Sequence, residues 1–231
     1  MSTSDDPAVA VCFDMDGVLV DSEDYWHHAE RDEIFPTAFV GDPPEPSEVQ
    51  GLYYPEKYDV LADEYETAVS KAEFCRLYES AATTVYSEQV QLLSGTHETL
   101  AALDERGLRT AVVSSSPVDW IDTVLDRFEL PFDDVYSVDE FDGPGKPEPG
   151  VYETAIADLG ATPETTLVIE DSANGVRAAA RAGATVIAFR REHNAEADLS
   201  PADIVVESPD ELHERVRTTV DELIAGESAS D

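Results

Sequence analysis

Phe13-Asp-Met-Asp-Gly-Val-Leu-Val-Asp-Ser-Glu23 follows directly on the apolar run Ala8–Phe13. Asp14 and Asp16 stand two apart where an apolar strand would end, and Gly17 lets the backbone turn at once. In open α/β sheets, ligands collect just outside the carboxyl ends of the strands. Two carboxylates so close together at such a place are costly unless a metal or a proton compensates them. The plainer alternative is a strand followed by an Asp/Gly turn, a common pattern. Three further segments weigh against that alternative.

Outward from this stretch, short β-branched runs alternate with helical patterns. Ala8–Phe13, Arg109–Ser114, Asp134–Val138, Thr166–Glu170, Thr185–Phe189 and Asp203–Val206 read as strands. Thr96–Arg106, Val118–Phe128, Val151–Leu159, Gly175–Ala182 and Asp210–Leu223 read as helices. The alternation predicts an α/β fold, a Rossmann-like parallel sheet with helices on both faces. Gly107, Gly160 and Gly183 each follow a helical run, as C-terminal stops do. From Glu23 to Ser94 the rhythm breaks. Helical patterns at Tyr25–Glu33, Pro55–Val69 and Ala72–Tyr86 surround a proline-rich loop, Gly41-Asp-Pro-Pro-Glu-Pro-Ser47. The reading is a helical cap, residues 23–94, inserted after the first strand of a core made of 1–22 and 95–231. It would lie over the carboxyl end of the sheet, above Asp14 and Asp16. The tail Ala225–Asp231 is small and polar and is expected to fray.

The second segment is Val112-Val-Ser-Ser-Ser-Pro117, an apolar strand ending in three serines before a helix. Hydroxyls and exposed N–H groups there suit a phosphate oxygen. Ser114, at the strand end, is read as the phosphate contact, and Ser116 as a helix N-cap. The third is Gly143-Pro-Gly-Lys-Pro-Glu-Pro149, where prolines and glycines hold Lys146 in a constrained backbone. The fourth is Leu167-Val-Ile-Glu-Asp-Ser-Ala-Asn-Gly175, a strand ending in Glu170 and Asp171. In a parallel sheet all four converge on one edge. Asp14 and Asp171 would repel a phosphate dianion. A Mg²⁺ ion on oxygen ligands removes that repulsion, and Lys146 offsets further charge. This is phosphoryl transfer by positioning and electrostatics.

Composition narrows the partners. The 231 residues carry 51 acids against 14 Lys and Arg, a net charge of −37, which argues against nucleic acid. Lys57, Lys71 and Lys146 are the only lysines. An acidic, lysine-poor balance resembles cytosolic proteins of salt-loving archaea, in whose solvent self-repulsion is screened within about 3 Å at 1 M salt. Cys12 and Cys75 show no metal-ligand or disulfide spacing. No apolar run approaches the roughly 20 residues that span a membrane, and Met1–Pro7 is unlike a secretory signal, so a cytoplasmic protein is expected. His27, His28, His97, His193 and His213 form no ligand spacing; Trp26 and Trp120 read as packing residues, and Arg190 and Arg191 as surface.

Taken in order, the four segments resemble the motifs of the haloacid dehalogenase superfamily of aspartate-nucleophile hydrolases. The insertion resembles the small helical cap of its subgroup with beta-phosphoglucomutase, phosphoglycolate phosphatase and sugar-phosphate phosphatases. The resemblance implies Asp14 as nucleophile, Asp16 as general acid and base, and Ser114 and Lys146 as their catalytic partners. It implies Mg²⁺ held by Asp14, Asp171 and the main-chain oxygen of Asp16, with Glu170 a variable ligand. Substrate contacts fall to Gly17, Ser114, Ser115 and Lys146, and to Gly51 and Tyr53 in the cap loop Gln50-Gly-Leu-Tyr-Tyr-Pro-Glu-Lys57.

The superfamily's dehalogenases lack the second acid, so Asp16 argues against carbon–halogen cleavage. It argues equally against the phosphonate hydrolases, for which Lys57 or Lys71 would have to form a Schiff base. The mutase carries an arginine just after the loop glycine and a lysine after the serines; this chain has Tyr53, Tyr54 and Pro117. The expected activity is a Mg²⁺-dependent phosphatase acting on a small phosphorylated metabolite, a sugar phosphate or a phosphoglycolate-like ester, through an aspartyl-phosphate. A sugar phosphomutase is the alternative, and a non-enzymatic metabolite-binding module the remote one. The oligomeric state is open, with a monomer slightly favoured.

Overall fold

The computed structural model describes residues 8–49 and 52–228. The readings made for Met1–Pro7, Gly51 and the last residues of the tail lie outside them. Six strands form one parallel sheet: β1 (Ala8–Phe13), β2 (Arg109–Ser114), β3 (Asp134–Ser137), β4 (Ala161–Glu170), β5 (Thr185–Phe189) and β6 (Ile204–Val206). Their order is β3-β2-β1-β4-β5-β6, so the chain reverses its direction of travel at β1. Such a switch point is where open α/β sheets hold ligands. Phe13 pairs with Val112 on one side and Ile169 on the other, which brings the strand-end motifs into register.

Alternation along each strand explains the layers. Val11, Phe13, Val112, Leu167, Ile169 and Ile187 face one core, with α5 (Thr96–Asp104), α6 (Val118–Phe128) and α9 (Pro209–Ser228) packed on it. Ala10, Cys12, Ala111, Val113, Val168 and Val186 face the other, under α7 (Gly150–Asp158) and α8 (Ala173–Ala182). Both faces being covered, the strands read as continuous apolar runs. Burial pushes the Cys12 thiol up to about 12, the state of an inert core cysteine.

Between β1 and β2 the described elements are helical: α1 (Glu23–Ala29), α2 (Phe35–Ala38), α3 (Tyr54–Ala62) and α4 (Lys71–Thr84). Two π-helical turns, Glu30–Ile34 and Val85–Gln89, extend α1 and α4. The helix expected over Pro55–Val69 stops at Ala62, because residues 66–68 bond back to Ala38 and Val40 instead. β4 begins five residues earlier than expected, through an irregular pairing of Ala161 with Ala8. The expected frayed tail is helical as far as Ser228.

Candidate active site

Asp14 leaves β1 with its N–H bonded to the Ile169 carbonyl at 2.9 Å, so its side chain starts at the junction of β1 and β4. Lys146 reaches the same junction from its loop. Its Nζ donates to Asp14 Oδ1 (2.7 Å), Glu170 Oε1 (2.6 Å) and the Val113 carbonyl (2.9 Å), which uses all three ammonium hydrogens. Burial alone would lower this ammonium; Asp14 and Glu170 overcome that and hold it above its ordinary value.

Asp14, Glu170 and Asp171 each offer an oxygen within 4.8 Å of the others, and all three are buried. Burial, above all, pushes the Asp14 carboxyl well above the usual carboxylate range; Lys146 opposes it, and Glu170, Asp171 and Asp16 add to the rise. Asp171 is raised likewise by burial, then by Glu170 and Asp16. Both oxygens of Glu170 are engaged: Oε1 by Lys146 and Tyr152, Oε2 by the N–H groups of Asp171 and Ser172 and the Ser172 hydroxyl. Asp14 Oδ2 has no donor among the described residues, and Asp171 lines the cavity beside it. Open carboxylate oxygens whose protons are held by crowding and burial are a donor set that suits a hard divalent cation. Gly17 permits the crowding: at φ +78° a Cβ there would lie 2.0 Å from Asp171 Oδ2.

Asp16 sits in a different setting. Ser22 and Tyr86 donate to its Oδ1, Tyr86 at 2.8 Å, and the Ser116 hydroxyl donates to Oδ2 at 2.7 Å. Ser116 is therefore a partner of Asp16, and not the helix cap expected; Pro117 occupies the N-cap of α6. Ser114 Oγ accepts the Ser116 N–H at 3.1 Å, and its own hydrogen has no acceptor among the described residues.

Asp14, Asp16, Ser114, Ser115, Lys146, Asp171 and Tyr53 all line one cavity of about 120 Å³. Glu170 stands behind its wall, and Gly17 turns the backbone beneath Asp171. Tyr53 donates its hydroxyl to Asp139 across to the sheet side. Tyr54 stacks on Tyr78 and on Trp120, whose centroid is 5.2 Å away. Trp26 and Trp120, expected only to pack, stack on each other and line the cavity, because α1 and α6 meet at its rim.

Other participants carried no sequence signal. Ser22, Tyr86 and Ser116 reach Asp16 across as many as 100 positions. His193 Nε2 lies 2.7 Å from Asp171 Oδ2, and Asn194 donates to the Asp171 carbonyl at 2.8 Å. Glu23, also in the lining, is pushed up to about 7 by burial and then by Asp171 and Asp16.

A parallel sheet with buried carboxylates, a lysine and serines at its switch point defines a hydrolase of the aspartate-centred α/β kind. The haloacid dehalogenase-like hydrolase family matches residues 9–183, and the chain belongs to it. Hexitol phosphatase B of Escherichia coli strain K12 is 32% identical over 176 residues, covering 73% of this chain and 77% of that protein. A phosphorylated carbohydrates phosphatase of Thermotoga maritima is 30% identical over 178 residues, covering 75% and 81%. Among solved structures, CbbY from Rhodobacter sphaeroides in complex with phosphate superposes with TM-score 0.78 at 23% identity, covering 89% of this chain and 96% of that one. Beta-phosphoglucomutase from Clostridium difficile gives 0.74 at 22%, covering 94% and 99%. These two likenesses concern the fold.

Proposed function

We propose that the chain is a Mg²⁺-dependent phosphatase of small phosphorylated metabolites of the sugar-phosphate kind. The reading rests on one observation above others: Asp14 has one oxygen ion-paired with Lys146 and the other open to the cavity, with Asp16 held apart on its own hydroxyl donors. Two acids in unlike environments can divide the roles of nucleophile and acid. Kinship with phosphatases of hexitols and phosphorylated carbohydrates supports it.

Asp14 Oδ2 attacks phosphorus and the ester P–O bond breaks. Asp16 gives its proton to the departing alcohol oxygen, and an aspartyl-phosphate remains on Asp14. Asp16 then takes a proton from water as that water attacks the same phosphorus, which frees Asp14 and inorganic phosphate. The Ser114 hydroxyl donates to a phosphate oxygen, and Lys146 offsets charge at Asp14 throughout. Asp14, Asp171 and the Asp16 carbonyl would hold Mg²⁺, which when bound neutralises the transferring phosphoryl group. In the same reading, residues 23–94 are a cap that shields the aspartyl-phosphate from bulk water. The same reading has the protein work in the cytoplasm, where phosphorylated metabolites are made and used.

A sugar phosphomutase is disfavoured, because the loop carries Tyr53 and Tyr54 where a second phosphate would need a cation, and Tyr54 is engaged in stacking. The test is Asp14→Asn assayed with 4-nitrophenyl phosphate and Mg²⁺. Turnover should fall by about 10³ or more, since Asn keeps the shape without the nucleophile. Near wild-type turnover would refute the assignment.

A further inference from the structure

The side of the cavity opposite the sheet is built by the insertion and holds a cluster that the phosphoryl chemistry does not use. Lys57 Nζ lies 2.5 Å from Glu30 Oε1, and the Tyr78 hydroxyl donates to the same oxygen at 2.7 Å. The pair is buried, with side-chain exposures of 12% and 2%. Glu30 Oε2 has no donor among the described residues. His27 Nε2, on the helix turn before Glu30, is buried and has no hydrogen-bond partner. Leaving a buried polar atom unmatched is unfavourable, so an unmatched one on a cavity wall favours a ligand that completes it. Burial also lowers the His27 pKa from its ordinary value, although Glu30 opposes this, so the ring is neutral near pH 7.

We propose that His27, Glu30 and Lys57 bind the hydroxyl groups of a neutral polyol or sugar carrying one phosphate, and exclude a second phosphate. The proposal rests on the phosphatase reading and names the substrate class of that site. A hydroxyl both donates and accepts, so it can satisfy Glu30 Oε2 and either tautomer of His27. The C–H face of such a molecule fits the ring wall of Trp26, Tyr54 and Trp120.

Charge decides against a bisphosphate. Five acidic residues line the cavity, at Asp14, Asp16, Glu23, Glu30 and Asp171, against two lysines, and the one beside Lys57 on the insertion side is Glu30. Both lysines are ion-paired, Lys146 with Asp14 and Glu170 and Lys57 with Glu30. A phosphate arriving on the insertion side would meet the Glu30 carboxylate with no unpaired lysine to hold it, and like-charge contact at low dielectric is a strong source of rejection.

The experiment uses the full chain with Mg²⁺ and three probes: a hexitol monophosphate, the matching hexitol bisphosphate and 4-nitrophenyl phosphate. Wild type should show kcat/KM for the monophosphate above that for the bisphosphate by about tenfold or more. Glu30→Gln keeps the shape and uncovers the Lys57 charge. It should raise the bisphosphate-to-monophosphate ratio by about tenfold. Equal or better use of the bisphosphate by wild type overturns the proposal, as does an unchanged ratio in a folded variant. If Glu30→Gln does not fold by circular dichroism, the wild-type ratio alone decides. Hydrolysis of 4-nitrophenyl phosphate with no preference for the hexitol monophosphate overturns the hydroxyl corner and leaves the phosphatase standing. No hydrolysis of any probe removes both.

Discussion

Glu170 and Asp171 are neighbours in sequence with opposite surroundings. Five donors reach the two oxygens of Glu170, so its carboxylate is already engaged by the protein. Asp171 lines the cavity, which Glu170 does not, and His193 meets its Oδ2. Asp171→Asn should therefore weaken Mg²⁺ binding by more than about 100-fold, and Glu170→Gln by about tenfold through the Lys146 and Asp171 positions it supports. Calorimetric titration of Mg²⁺ checks this, and the reverse order would show that the metal ligand of the pair is Glu170. Because Asp14 and Asp171 hold their protons above the usual carboxylate range, acid competes with the ion, and wild-type affinity should tighten as pH rises. The adjacent acids were visible in the chain as a pair. Which one faces the cavity depended on Lys146, Tyr152 and the α8 N-terminus arriving from elsewhere.

At the scale of elements, His213 ties α9 to α5. Its Nδ1 lies 2.7 Å from the Thr99 hydroxyl and its Nε2 2.7 Å from the Ser94 carbonyl. Gly95 makes room for the ring, since a Cβ there would lie 2.5 Å from His213 Cδ2. His213→Ala leaves the buried Thr99 hydroxyl and the part-buried Ser94 carbonyl unmatched and should cost about 1–2 kcal/mol at pH 8. Burial holds the folded-state His213 pKa below its ordinary value, against the Ser94 hydrogen bond that raises it. The unfolded chain thus takes up the proton first. The contribution is complete above about pH 6.5 and is lost as pH falls toward the folded-state value. The stability gap between wild type and variant should shrink from pH 8 to pH 5. Urea unfolding at fixed salt measures it, and a gap that widens in acid contradicts the linkage.

At the scale of the whole molecule, the net charge of −37 makes compact states self-repelling. The insertion carries its own exposed acids, among them Asp59, Asp63, Glu64 and Glu66, and must lie against an acidic sheet edge. It is held there by the Tyr53 hydroxyl on Asp139, by Tyr54 on Trp120, and by Arg127 donating to the Tyr86 carbonyl at 2.7 Å. The screening length grows from about 3 Å at 1 M salt to about 10 Å at 0.1 M, so acids across the cavity begin to repel one another. Turnover should fall before secondary structure does as salt is lowered. Paired measurements of activity and far-UV circular dichroism along one salt series decide it; flat activity down to 0.1 M would separate the composition from any need for screening.

The amino-acid sequence by itself determined the sheet and the edge where the chemistry gathers. β1, β2, β4 and β5 are apolar runs whose cores are set by neighbours along the chain, and a parallel sheet necessarily brings their carboxyl ends together. Asp14, Asp16, Ser114, Lys146 and Asp171 were legible for that reason: each stands at a strand end or in a stiffened loop. Contacts between distant side chains were decided only by tertiary packing. The hydroxyls around Asp16 come from Ser22, Tyr86 and Ser116, and His193 reaches Asp171 from the loop after β5. The ring wall needs α1, α3, α4 and α6 to meet, and the Glu30–Lys57 pair needs a π-helical turn to face α3. Such contacts follow from the packing of several helices at once, and no local pattern of hydrophobicity records them.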